Sequence, residues 1–252
     1  MPGRNAVTID VSRSSVAVSV VSHGHGEMLS ALIVQLRACP EVGQIIVTRN
    51  VPEEMPCVAD ELVSVIENVA SKGFGTNHNA AFRESRQPYY CVLNPDIELV
   101  GNPFPSLLSC MAEARAGIVA PLILSPTGAL EDSARYFPTL KSLARKALGG
   151  TDGRYSIVPN QTPISPDWVA GMFMLFRSGD FARLGGFDER YFLYYEDVDI
   201  CARAWQAGMK LVVCPSVSAI HDARRASRKN FRHLRWHFAS MVRYLLSCRG
   251  RR

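Results

Sequence analysis

Tyr89-Tyr90-Cys91-Val92-Leu93-Asn94-Pro95-Asp96 is the stretch on which the fold turns. Its first five residues are apolar or aromatic and read as a buried strand. Pro95 ends the strand, because a residue without an N–H cannot continue a central ladder. Asp96 therefore sits just past the carboxyl end of that strand. Upstream, three further runs have strand character: Val16 to Val21, which ends at the Gly24/Gly26 turn, Gln44 to Thr48, and Leu62 to Ile66. Between them, Met28 to Cys39 carries apolar residues at helical spacing (Met28, Leu29, Leu32, Ile33, Leu36), and Thr76 to Ser85 reads as a short helix. Strands and helices alternating at this spacing predict an α/β fold with a mostly parallel sheet and crossover helices. Ligands of such sheets lie at the carboxyl ends of the strands. That points to Ser22-His23-Gly24, Arg49-Asn50, Asn68 and Asn94-Pro95-Asp96.

Downstream the texture changes. Residues 125–166 are rich in Pro, Gly, Ser and Thr around one basic helix (Leu140 to Leu148) and read as loop. Trp168 to Phe176 is apolar, a helix runs from Glu196 to Gln206, and Lys210 to Cys214 is another strand. The chain has 252 residues, 47% hydrophobic and 20% charged, which fits a globular protein and excludes global disorder. No apolar run approaches the roughly 18–20 residues that span a bilayer. Met1-Pro2-Gly3-Arg4-Asn5 has no secretory h-region, and seven cysteines occur without a Cys-x-x-Cys pair. The expectation is a cytoplasmic protein with reduced thiols. Residues 1–14 are polar and expected to fray. Charge is uneven: residues 223–252 hold ten Lys or Arg and no acid, which leaves 18 basic against 23 acidic residues in 1–222.

Four features carry chemistry. Asp96 suits a hard divalent cation, which takes one or two protein carboxylates plus phosphate oxygens, although an Asx turn explains the residue equally well. Gly185-Gly186-Phe187-Asp188-Glu189 through Tyr194-Tyr195-Glu196-Asp197-Val198-Asp199 sets acids among aromatic rings. One of these carboxylates can cap the helix that follows. A second, in an aromatic-lined site, can act as a general base whose pKa burial has raised. His221 alone is ordinary, but beside Asp96 it makes a plausible second metal ligand. Lys72-Gly73-Phe74-Gly75 precedes a helix and lets backbone approach a nucleotide, weak evidence taken alone.

Taken in order, these motifs resemble the family 2 glycosyltransferases, in particular the bacterial rhamnosyltransferase-like branch, over about Ser15 to His221. Gly73-Phe74-Gly75 with Asn79, Leu93-Asn94-Pro95-Asp96, Asp167-Trp168-Val169-Ala170-Gly171, the Gly185 to Asp199 segment, Pro215 and His221 are its elements. The resemblance implies a GT-A fold, Rossmann-like, in which residues 15–100 form the nucleotide-sugar half and 101–222 the acceptor half. It implies inverting transfer from a nucleotide-diphosphate sugar, with rhamnose on dTDP the default and UDP-hexoses next, to a glycan or lipid-linked glycan acceptor. Asp197 would be the base and Glu196 its runner-up. Asp96 and His221 would hold Mn²⁺ or Mg²⁺. Ser22, His23, Asn50, Gly73, Phe74, Gly75, Asn79, Asn94 and Asp96 would face the donor, and Trp168, Gly171, Phe187, Asp188 and Tyr194 the acceptor. Three donor-side positions depart from the pattern: His23-Gly24 replaces Tyr-Asn, Arg49-Asn50 replaces the acid that meets the base, and Ser71 replaces Asn. These departures leave room for a non-catalytic nucleotide- or sugar-binding member of an assembly complex, or for a sugar-phosphate nucleotidyltransferase.

The basic tail, residues 223–252, has Phe231, Leu234, Phe238, Met241 and Leu245 on one helical stripe, with Arg228, Arg232, Arg235 and Arg243 largely off it. Either that stripe packs on the domain, or the helix lies on the anionic cytoplasmic leaflet. Nucleic acid is not expected, since no recognition module is present.

Overall fold

The structure, a computed structural model, describes residues 14–53, 59–150, 153–222 and 231–249. Residues 1–13, expected to fray, and residues 223–230, which include Arg228, lie outside the described residues. The chain runs β1 (Val16–Ser22), α1 (Glu27–Arg37), β2 (Val42–Arg49), β3 (Val63–Glu67), α2 (Phe74–Glu84), β4 (Tyr89–Leu93) and β5 (Ile97–Leu99). It continues through α3 (Phe104–Glu113), β6 (Ala116–Leu124), β7 (Ala134–Arg135), α4 (Leu140–Ala147), β8 (Trp168–Val169), β9 (Phe173–Arg177) and α5 (Ser178–Arg183). The last elements are α6 (Glu196–Gln206), β10 (Lys210–His221) and α7 (Phe231–Arg249).

An eight-stranded sheet in the order β3-β2-β1-β4-β9-β6-β10-β5 forms the centre. The first four strands are mutually parallel, as the alternating pattern predicts. β9 enters antiparallel to both β4 and β6, so residues from both halves of the chain share one sheet rather than forming two domains. Helix α1 covers one face with Leu29, Leu32, Ile33 and Leu36, the residues its spacing nominated. Opposite lies a second core of Tyr90, Phe176, Phe181, Phe187 and Ile200. Trp168 to Phe176 proves to be two strands, because Ala170–Met172 turn the chain between β8 and β9.

β10 is longer than the Lys210 to Cys214 run predicts, and the reason bears on the site. It pairs in parallel with β6 from Lys210 to Cys214, slips register between Cys214 and Ser218, and resumes against Leu122–Leu124. The slip falls beside Pro121 of β6 and contains Pro215, residues that remove ladder donors from both strands and favour a bulge. Past it, β10 pairs antiparallel with β5, opposing His221 to Ile97, and the Asp222 N–H donates to the Asp96 carbonyl at 3.1 Å. This pairing brings His221 to Asp96 across 125 positions of sequence.

Helix α7 departs from the expected stripe. Tyr244 is buried with Tyr191, Tyr195, Val198 and Ala202, and Met241 and Leu245 pack at the edge of that cluster. Ser240 donates to the Leu193 carbonyl at 3.0 Å. Phe231, Leu234 and Phe238, the first three stripe residues, are 82%, 65% and 61% exposed. The helix docks through a neighbouring face (His233, Trp236, Ser240, Tyr244), where aromatic and hydroxyl groups find partners that aliphatic side chains could not use.

Candidate active site

Two cavities flank the loop that joins α5 to α6. The larger, about 750 Å³, lies at the carboxyl ends of β1, β2 and β4, lined there by His23, Asn50, Asn94 and Asp96, with Lys72 and Phe74 from the start of α2. Its organiser is Asn50, which the sequence placed at the donor. The Asn50 amide donates to the Lys72 carbonyl (2.9 Å) and Ser71 Oγ (3.2 Å), and lies 3.4 Å from His23 Nδ1. Its carbonyl oxygen accepts from the Lys72 N–H (2.8 Å) and from Asn68 Nδ2 (2.9 Å), which also donates to Asn77 Oδ1. The three positions that depart from the family pattern, near 23, 50 and 71, thus meet in one network. A carboxylate at Asn50 could not donate two of these hydrogen bonds.

Asp96 and His221 face one another, with His221 Nε2 3.3 Å from Asp96 Oδ2. On its other edge, His221 Nδ1 lies 3.7 Å from Glu131 Oε2. Burial pulls the His221 pKa down, but the Asp96 and Glu131 carboxylates more than reverse this and hold it above the usual histidine value. Asp96 Oδ1 is buried and has no hydrogen-bond partner. An orphaned carboxylate oxygen beside an imidazole fits a divalent cation. Among the described residues no cluster of three His, Cys, Asp or Glu converges as a ligand set.

The second cavity, about 390 Å³, is walled by Tyr136, Phe137, Trp168, Tyr194 and Tyr195, with Glu196 and Asp197 opening onto it. Asp197 Oδ2 accepts from the Gly171 N–H at 3.1 Å and Oδ1 from the Val198 N–H at 2.8 Å. Burial raises the Asp197 carboxyl, against the pull of those two donors. Glu196 is pushed well above the ordinary carboxylate range, by burial first and by the charge of Asp197 second. Tyr194 and Tyr195 both hold left-handed backbone, φ 71° and 69°, a costly conformation for aromatic residues. It aims the first turn of α6 into the cavity.

Several residues expected at the site have other work. Asn79 clamps Phe187, accepting its N–H at 2.9 Å and donating to its carbonyl at 2.8 Å, and its side chain does not reach the larger cavity. Ser22 is fully buried, with Oγ 3.3 Å from the His25 N–H, and so shapes the turn rather than the wall. A Cβ on Gly73 would lie 2.7 Å from the Phe192 carbonyl oxygen, and one on Gly75 2.7 Å from Phe187 Cβ. These glycines admit the neighbouring loop, not a phosphate. Phe187 is 2% exposed in the aromatic core. Asp188 is engaged by Arg190, whose hydrogen bonds hold its carboxyl below the usual range. Asp199 is sealed against Arg203 at 2.7 Å. With Asp188, Glu189 and Asp199 paired internally, Glu196 and Asp197 are the acids of this segment left to the cavity. Gly171 contributes through its N–H on Asp197.

Sequence reasoning missed the walls supplied from afar. Lys72, Asn77 and Phe192 line the larger cavity together with Arg232, His233 and Trp236 of α7, while His237 lines the smaller one. Lys72 stood in a quoted motif and was legible; the α7 residues had no local signal.

The profile described as the N-terminal domain of galactosyltransferase matches residues 161–233. The rhamnosyltransferase WbbL of Escherichia coli K12 is 32% identical over 245 residues, covering 91% of this chain and 92% of that protein. N-acetylglucosaminyl-diphospho-decaprenol L-rhamnosyltransferase of Mycobacterium tuberculosis is 31% identical over 206 residues, 73% of this chain and 66% of that protein. Among solved structures, GalNAc-T7 with UDP, GalNAc and Mn²⁺ superposes with a TM-score of 0.68 at 17% identity, covering 86% of this chain and 45% of that one. The fold is that of the GT-A glycosyltransferases.

Proposed function

The chain belongs to the family 2 glycosyltransferases of the rhamnosyltransferase-like branch, and from that premise we propose that it transfers a sugar, by default rhamnose, from a nucleotide-diphosphate sugar to a hydroxyl of a polysaccharide- or lipopolysaccharide-type acceptor, with inversion. The observation that carries the reading is the arrangement of the two cavities. One is lined at the strand ends by the Asp96 carboxylate, itself 3.3 Å from His221 Nε2, and the other by a pair of raised carboxylates among aromatic rings.

The larger cavity takes the nucleotide diphosphate, with Asn50 fixing the loop at 68–72 beneath it. Asp96 and His221 would hold Mn²⁺ or Mg²⁺, which when bound offsets charge on the leaving diphosphate. Asp197 takes the proton of the acceptor hydroxyl as that oxygen attacks the anomeric carbon from the face opposite the leaving group. The Gly171 and Val198 N–H groups hold the Asp197 carboxylate in place. Glu196 is buried beside Asp197, and burial first and the Asp197 charge second disfavour its ionised form. Trp168 and Tyr194 offer ring faces to the acceptor sugar.

The acceptor is a lipid-linked glycan, reached from the anionic cytoplasmic leaflet. Supporting this, α7 turns Phe231, Leu234, Phe238 and Leu246 to solvent within a segment, 223–252, that has ten basic residues and no acid. Among the described residues no helix is long and apolar enough to cross a membrane.

Calorimetry with dTDP, UDP and GDP, with and without Mn²⁺, on the wild-type protein and Asp96→Ala tests the reading. Metal-dependent binding of one nucleotide, lost in the variant, is the expected result. Failure of every nucleotide to bind would overturn transferase function at this site.

A further inference from the structure

Helix α7 is part of the larger cavity as well as a surface element. Arg232, His233 and Trp236 line it together with Lys72 and Asp96. Their position is fixed by a chain of contacts that begins at α2. The Phe74 N–H donates to the Phe192 carbonyl at 2.9 Å, and the missing Cβ of Gly73 lets the Phe192 backbone come close. The Phe192 ring lies against Trp236, centroids 4.6 Å apart and planes at 33°. The Arg232 guanidinium carbon stands 5.8 Å from the Trp236 ring centre, within reach of a cation–π contact. His233 Nδ1 is 3.0 Å from the Tyr194 hydroxyl, tying the same turn to the loop before the raised carboxylates.

We propose that Arg232 is a diphosphate-binding residue, supplied to the donor cavity by the C-terminal helix. This rests on the transferase reading above. Among the described residues lining this cavity Asp96 is the one carboxylate, and Lys72 and Arg232 are the side-chain cations of fixed charge. In the reaction the bond from the anomeric carbon to the diphosphate oxygen breaks. Its electron pair stays on that oxygen, the acceptor oxygen bonds the carbon, and its proton passes to Asp197. Negative charge therefore grows on the diphosphate as the bond breaks, where preorganised donors have most effect. Arg232 remains protonated throughout and offers a planar fork matched to phosphate oxygens, which the point charge of a lysine does not. The cation–π contact with Trp236 places that fork at the cavity before the donor arrives.

The test is calorimetric binding of UDP and dTDP, in the presence of Mn²⁺, to the full-length wild type, Arg232→Ala and Arg232→Lys, with thermal midpoints recorded for each. Arg232→Ala should weaken binding of the diphosphate about tenfold or more at an unchanged midpoint, the loss of one charge-assisted contact. Arg232→Lys should recover only part of it. Wild-type affinity in Arg232→Ala overturns the assignment. So does a loss of binding that, in both variants, only accompanies a lowered midpoint and is absent from whichever variant keeps the wild-type midpoint, since the arginine then acts by packing on Trp236. A wild-type protein that binds neither of these nucleotides nor GDP instead defeats the transferase reading itself, so the two failures are distinct.

Discussion

The two cavities differ in how they are built. The larger cavity stands on the ends of parallel strands, and its key polar residues, Asn50, Asn94 and Asp96, follow β2 and β4 directly. The smaller stands on a short β7–β8 ribbon, aromatic rings, and two tyrosines in left-handed backbone. The first holds one carboxylate beside a histidine, the second two carboxylates displaced upward by burial. A strand end positions a residue through the sheet's own ladder. A loop site has no ladder, and its Asp197 carboxylate is held instead by donated N–H groups.

That contrast can be broken most sharply at Asp197. Asp197→Asn should lower kcat by about 10²–10⁴-fold, the range for loss of a general base, with nucleotide affinity unchanged. Release of nucleoside diphosphate from a donor–acceptor mixture gives the first, calorimetry the second. Near-normal turnover would remove the base from this cavity. The same assay on the wild type carries a pH signature. A base must be ionised, and burial raises both carboxyls, so kcat/KM should fall as pH drops through a midpoint clearly above the ordinary carboxylate value of about 4. An acid limb at or below that value would mean that the working carboxylate is not buried.

The next effect sharpens the boundary between site and scaffold. Asn79→Ala removes both hydrogen bonds to Phe187 and leaves buried backbone groups unpartnered, at a cost of about 1–3 kcal/mol. It should lower the unfolding midpoint in denaturant while leaving the nucleotide Kd unchanged. A variant of normal stability that fails to bind nucleotide would return Asn79 to the donor site. The smallest effect on the fold itself is expected on the outer face of α7. Leu234→Glu with Phe238→Glu changes exposed positions, where substitutions usually stay within about 0.5 kcal/mol. The pair should nevertheless abolish co-sedimentation with phosphatidylglycerol vesicles. Retained binding would move the membrane contact elsewhere.

Much of the sheet was legible because its strands are short, β-branched and punctuated by glycine and proline, signals that act within a few residues. Asp96 and the Glu196–Asp197 pair were legible for the same reason: each follows a local boundary, a strand end or a helix start. α3 and β6 carry local signals too, helical spacing at Phe104, Leu107, Leu108 and Met111 and an unbroken apolar run over Ala116–Leu124, whereas three-residue β5 is too short to show a period. Gly73, Gly75 and Asn79 stand in one family motif and Phe187 in another, and only the fold joins them, as a glycine-and-amide joint between α2 and the loop at 185–192.

The sequence by itself determined the α/β class, the strand ends on which ligands gather, and the carboxylates worth testing, because these depend on periodicity and on breaks in it. Tertiary structure alone decided three things: which acids remain open to a cavity once Arg190, Asn79 and Arg203 have taken theirs, how the slip in β10 beside Pro121 delivers His221 to Asp96, and which face of α7 turns inward. The physical reason is common to all three. An apolar stripe states that a helix wants to bury a face, but a hydrogen-bonding partner across the chain can make a neighbouring face the better one. That choice exists only once the chain has folded.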